Sequence, residues 1–142
     1  MDMNNPNENL ETIVELINQY REQSSQLSAQ INMVNASLAE HMVARETIKN
    51  YESLEPGSES LIPIGGNVYV RTDVNENKNV IVGIGARCMV EKGIGDCITT
   101  LNERIGELQT GRDKIRNNLN ILESRIRELT DRAESIAGTL DG

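Results

Sequence analysis

The strongest constraint in this chain is a pair of heptad stripes of similar length, one towards each end. The first runs Leu10, Ile13, Ile17, Tyr20, Ser24, Leu27, Ile31, Val34, Leu38, His41, Arg45 and Ile48. The second runs Ile94, Ile98, Leu101, Ile105, Leu108, Arg112, Ile115, Leu119, Leu122, Ile126, Leu129, Ala133, Ile136 and Leu140. Both step by threes and fours, the spacing that keeps one side of a helix against a partner helix. If the stripes pair with each other, the chain must reverse between them, so they predict an intramolecular antiparallel coiled coil. Composition agrees. Aromatic residues make up 2% of the chain, as Tyr20, Tyr51 and Tyr69 alone. A compact globule of this size usually fills its core with aromatics, whereas a two-helix seam needs only Leu and Ile.

The ends of the stripes carry ordinary helix signals. Asn5 can cap the first helix, Pro6 suits its first position, and Glu8 can return a hydrogen bond to the cap. Glu55-Pro56-Gly57 ends it, because proline lacks the amide donor and clashes with the preceding turn. The second helix is expected after Gly93 and Gly95, with Asp96 as its cap. Helices over 6–53 and 96–140, roughly 45–48 residues each, would span about 70 Å. Glu123/Arg127 and Glu128/Arg132 add i, i+4 pairs in the favourable order. Gly106 and Gly111 lie off the seam, each less favourable than alanine by about 1 kcal/mol.

Between the stripes the period changes to two. Leu61-Ile62-Pro63-Ile64 and Val68-Tyr69-Val70-Arg71-Thr72 flank Gly65-Gly66-Asn67, residues that tolerate the positive φ of a tight hairpin turn. Pro63 confines the first run to an edge strand or a strand start. After a turn at Asn75–Lys78 come Val80-Ile81-Val82-Gly83-Ile84 and Ala86-Arg87-Cys88-Met89-Val90, around Gly85. These read as a second hairpin, with pairing of 72–74 to 80–82 as an alternative. Two hairpins over 60–91 have no second sheet in the chain and leave their edges open. Closure with hairpins of other subunits would remove those edges. The predicted class is therefore α+β: a long antiparallel two-helix coiled coil, joined by two β-hairpins that form an oligomeric β-barrel platform. The assembly residues are Leu61, Ile62, Ile64, Val68, Tyr69, Val70, Val80, Ile81, Val82, Ile84 and Val90. The alternative has the hairpins folding back over the helix ends of a monomeric or dimeric rod.

Several function classes have little support. A net charge of −8 disfavours nucleic acid, which needs clustered Lys and Arg, and disfavours an anionic membrane surface. No apolar run approaches the roughly 20 residues of a membrane span. Residues 1–9 do not resemble a signal peptide, and a reducing cytoplasm is the plain expectation. Cys88 and Cys97 have no metal-ligand spacing and read as small buried apolar residues. Gly83-Ile84-Gly85 follows a strand, but no third glycine and no helix follow, so it fails as a dinucleotide turn. His41, the single histidine, falls on the seam and reads as a polar register residue. No metal site, cofactor or catalytic group is expected, and an enzyme is not indicated.

Near the helix ends far from the β block, Val14 and Leu16 widen the stripe beyond what a two-helix seam requires. With Leu10, Ile13, Ile17, Ile136 and Leu140 they form a candidate apolar surface for weak contact with non-native chains; the alternative is an ordinary seam with frayed ends. Met1, Met3 and Met33 would add adaptable surface.

The order helix, two hairpins, helix resembles the α-class subunit of prefoldin. The residues that carry the resemblance are Leu61-Ile62-Pro63-Ile64-Gly65-Gly66-Asn67-Val68-Tyr69-Val70, then Val80-Ile81-Val82-Gly83-Ile84-Gly85, then Val90-Glu91-Lys92. They are similar to the family pattern L-I-P-L-G-x-x-V-Y-V … V-L-V-x-V-G-x-G … V-E-K, with Ile64 where leucine is common. The resemblance covers nearly the whole chain, as a single prefoldin-like domain over 1–142. It implies an archaeal-type hexamer of two α-class and four β-class subunits, with hairpins joined in a double β-barrel. It also implies an ATP-independent holdase whose coiled-coil tips capture unfolded polypeptides and pass them to a group II chaperonin. The alternative is a structural coiled-coil spacer of another complex, without client-holding activity.

Overall fold

A computed structural model describes residues 6–141. Two long helices flank four strands: α1 (Pro6–Glu52), β1 (Glu59–Gly65), β2 (Val68–Asp73), β3 (Val80–Gly85), β4 (Cys88–Lys92) and α2 (Ile94–Asp141). The expected cap Asn5 lies outside the described residues, as do Met1 and Met3. The strands pair antiparallel as two separate hairpins, β1–β2 and β3–β4, so the alternative pairing of 72–74 with 80–82 does not occur. By its contacts the chain forms two compact units. One spans Leu38–Glu107, and the other comprises the helical residues up to Ser37 and from Leu108 onward.

In the second of these, the stripes face inward as their spacing requires. Ile13, Ile17 and Ile31 are buried. Leu27 and Val34 of α1, and Ile115, Leu119, Leu122, Ile126 and Leu129 of α2, are half-buried. A two-helix seam hides only one side of each side chain, so half-burial is what such a stripe produces. Ser24 interrupts the apolar series. Its hydroxyl is buried with no hydrogen-bond partner, which makes it a weak step in the seam, since an unsatisfied polar group is unfavourable by about 1–3 kcal/mol.

In the unit Leu38–Glu107, α1 stops at Glu52, before the proline. Ser53 N–H donates to the Asn50 carbonyl at 3.2 Å and Leu54 N–H to that of Tyr51 at 3.1 Å, tightening the last turn. Lys78 Nζ then donates to the carbonyl of Glu52 at 2.8 Å and to that of Leu54. A cation at the negative end of a helix is favourable, and here it ties the inter-hairpin loop to α1. The turn Glu55–Ser58 closes through Ser58 N–H to Glu55 O at 3.1 Å, with Gly57 at φ 84°. Proline second and a positive-φ glycine third is the type II arrangement. At the other junction α2 begins at Ile94, not after Gly95. Gly93 O accepts from Cys97 N–H at 3.0 Å, so Asp96 stands inside the first turn rather than at the cap. Its charge still favours that end of the helix.

Candidate assembly and client-binding surfaces

The two hairpins are built alike and anchored differently. Each turns through two residues of positive φ: Gly66 (59°) and Asn67 (61°) in the first, Ala86 (49°) and Arg87 (60°) in the second. This is the turn whose twist matches paired strands. Ala86 and Arg87 were expected within a strand; they form the turn instead, and β4 begins at Cys88. Each hairpin also carries a register irregularity on its first strand, between Pro63 and Gly65 and between Gly83 and Gly85.

The β3–β4 hairpin has a core of its own. Val82, Cys97 and Leu101 are buried together, with Val80, Val90, Ala44 and Ile48 packed against them. Strand, α1 and α2 thus share one apolar cluster. Arg104 Nη2 reaches back from α2 to the Gly83 carbonyl at 2.5 Å, and Lys92 Nζ donates to Thr100 Oγ1 at 2.9 Å. Next to this cluster, Arg45 Nη1 donates to Asn102 Oδ1 at 2.8 Å. This bond pins α1 against α2 in one register, the job expected of the polar seam residues around His41. Ile81, Ile84 and Met89 remain exposed.

The β1–β2 hairpin has no such core. Opposite residues of an antiparallel pair share a face, so Ile62↔Val70 and Leu61↔Arg71 mark its two sides. Leu61, Ile62, Ile64, Val68, Tyr69 and Val70 are all exposed, and they occupy both sides. Only its base is fixed. Val74 is 4% exposed, and its N–H and carbonyl bond Ser58 O (2.9 Å) and Gly57 N (2.7 Å). An open cleft separates the hairpin from α1, lined by Thr47, Tyr51, Ser60, Ile62, Thr72 and Val74 among others.

Of the eleven expected assembly residues, eight are therefore exposed. Val80, Val82 and Val90 belong to the chain's own core, because they lie on the side of hairpin two that rests on the helices. Cys97 is buried as expected, but Cys88 is exposed, since it stands at the turn end of β4 beyond reach of the helices.

The expected client-binding residues also divide. Ile13 and Ile17 are buried between the helices. Leu10, Leu16 and Ile136 are half-buried, while Val14 is 44% and Leu140 43% exposed. Leu10 and Val14, with Glu11, Glu15 and Asn18, line a shallow concavity on α1. The remaining exposed apolar residues of the helices, Met33, Met42, Val43 and Ile121, lie off the stripes and were singled out only at Met33. Among the described residues no group of acidic, His and Cys side chains could hold a metal ion. No described helix is long and apolar enough to cross a membrane.

A family model of prefoldin subunits matches residues 20–138. The chain belongs to the prefoldin family. Among its relatives, prefoldin subunit alpha of Thermofilum pendens is 34% identical over 75% of this chain and 82% of its own length. Prefoldin subunit alpha of Methanoculleus marisnigri is 30% identical over 95% of this chain and 89% of its own. The fold matches a filamentous prefoldin of Methanocaldococcus jannaschii with a TM-score of 0.73 at 24% identity, over 83% of this chain and 98% of that one. It also matches the prefoldin beta subunit of a Thermococcus strain, with a TM-score of 0.58 at 16% identity over 89% and 90%. The α-class resemblance of the central motif thus agrees with the relatives' own names. Prefoldins are chaperones that deliver unfolded proteins to a chaperonin, and membership favours that role over a coiled-coil spacer.

Proposed function

We propose that this chain is the α-class subunit of a cytoplasmic prefoldin hexamer with four β-class subunits and a second α copy. In this reading its hairpins join those of its neighbours in a closed double β-barrel. The observation that carries it is the β1–β2 hairpin, which exposes apolar side chains on both sides. A soluble monomer rarely leaves such a patch uncovered, and closing a sheet removes both the patch and the edges.

The apolar ends of α1 and α2 then hold unfolded polypeptide without ATP, for transfer to a group II chaperonin. Val14 and Leu140 are exposed for this contact, with Leu10, Leu16 and Ile136 half-available and Ile13 and Ile17 reachable only if the helices part. Each side chain that a client buries is worth about 1.5–3 kcal/mol, and several subunits acting together give avidity without one tight site.

Removing residues 1–17 together with 130–142 from the assembled complex tests this. The expected result is an intact complex that no longer suppresses aggregation of an unfolding client. Full protection by the truncated complex would place client binding elsewhere.

A further inference from the structure

We propose that the outward face of α1 from Ser25 to Ala36 is a second contact zone for unfolded polypeptide, one that accepts the acidic segments disfavoured at the helix ends. This rests on the holdase reading above and adds to it a site and a class of client.

Charge is spread along both helices except here. Charged residues make up 25% of the chain, yet none falls between Glu22 and Glu40. Elsewhere in α1 and α2 at most six successive residues are uncharged. Within this window Leu27, Ile31 and Val34 turn towards the seam. Ser25, Gln26, Ala29, Gln30, Met33 and Ala36 share the opposite side, by helical spacing. All six are exposed, and Met33 is 73% exposed. The solvent side of such a helix ordinarily carries charge.

The face is polar without being charged. A glutamine amide and a serine hydroxyl each donate and accept. A peptide backbone also presents a donor and an acceptor at nearly every residue, whatever its sequence. Alanine and serine keep the surface low, so an extended chain can approach closely. Met33 adds a flexible thioether that packs against varied apolar side chains. No charge on this face has to be stripped of water.

The extent of the face decides between occupants. From Ser25 to Ala36 the helix rises about 18 Å and is about 10 Å wide, roughly 180 Å² of surface, against about 800 Å² per partner in a stable interface. That is too little to hold a second copy or a folded partner. An unfolded segment can use it as one weak contact among several on the complex.

Charge then separates the two contact zones. The concavity at Leu10 and Val14 is also lined by Glu11 and Glu15, so an acidic client segment is repelled there. From Met33, Glu22 and Glu40 lie about 16 and 10 Å along the helix, beyond the Debye length of about 8 Å at physiological ionic strength.

The test uses the complex assembled with its partner subunits. A photo-crosslinking residue is placed at Met33 or, for comparison, at exposed Lys114 of α2, and an unfolded acidic client is added. Crosslinking at Met33 should exceed that at Lys114 by about fivefold or more. Equal yields overturn the proposal.

Two double variants read the charge argument directly. Gln26→Glu with Gln30→Glu should raise the complex concentration needed to halve aggregation of the acidic client by about threefold, and Gln26→Lys with Gln30→Lys should lower it. A basic client should show the opposite order. Both variants place like charges at i, i+4, so any loss of helix stability is matched between them. Variants that behave alike in a complex whose parent protects both clients overturn this contact zone alone. A parent complex that protects neither client overturns the holdase reading itself.

Discussion

The two hairpins of this prefoldin subunit share a turn type and a bulged first strand, yet they stand in different energetic positions. The β3–β4 hairpin rests Val82 on Cys97 and Leu101 and is tied down by Arg104 and Lys92. The β1–β2 hairpin is held at its base by Val74 and is otherwise uncovered. A two-stranded hairpin alone is marginal in water. In the proposed assembly, the platform would combine one element that folds with its own subunit and one that draws most of its stability from neighbours.

The largest effect should come from placing a charge on the uncovered hairpin. Ile62→Asp puts a carboxylate opposite Val70, on a surface that assembly would bury. Leaving a buried charge unpaired is unfavourable by several kcal/mol, so the complex should fail to form in native mass measurements. The isolated chain should keep its helical circular dichroism, since Ile62 contributes to no core there. Loss of helicity in the isolated variant would show that hairpin one is already integral to the subunit.

The complementary change is Leu101→Ala. Leu101 is 8% exposed and carries hairpin two on α2. Truncating a buried leucine typically lowers stability by about 2–5 kcal/mol; with a core open on one side, about 2 kcal/mol is expected in denaturant titration of the isolated chain. Exchange should quicken at Val82 and Val90 and stay unchanged at Ile62 and Val70. Equal quickening in both hairpins would mean that they unfold as one unit and would break the comparison.

Much of this arrangement was legible in the sequence because it follows from periodicity. Every residue of both stripes is buried or half-buried except Leu140, and hairpin one turns at the glycine-rich site that its sequence marks. What stayed hidden depends on tertiary placement. Nothing local marks Ala86-Arg87 as a turn, because a left-handed conformation at non-glycine residues is unfavourable by roughly 1–2 kcal/mol each and is imposed by strand pairing. Alternation separates the two sides of β3, but not which side meets a helix, so Val82 and Ile81 were indistinguishable. The pairing of Arg45 with Asn102 and of Arg104 with Gly83 O joins residues far apart in sequence. The Lys78 bonds to the end of α1 were invisible for the same reason.

A smaller and opposite effect should follow from Gly106→Ala. A Cβ at Gly106 would meet nothing within 4 Å, so alanine removes backbone freedom from the unfolded chain without a clash. The expected gain is about 1 kcal/mol, and Gly111→Ala should behave similarly for the same reason. Gly106 lies two residues from Arg104 in the unit that carries both hairpins. If hairpin two is coupled to α2 and hairpin one is not, Gly106→Ala should slow exchange at Val82 and leave Ile62 unmoved.

The smallest effect should come from Arg71→Ala. Arg71 Nε stands 3.5 Å from Glu59 Oε1, with both side chains more than half exposed. Such a pair is screened by solvent and worth about 0–1 kcal/mol. Removing it should leave the exchange of the isolated β1–β2 hairpin within about threefold of the parent. This is the sharpest check on what supports hairpin one. If its stability in the free subunit falls markedly without Arg71, a cross-strand ion pair was holding the hairpin closed by itself. If nothing moves, the hairpin's own surface contributes little to its order, and neighbouring strands must supply the rest.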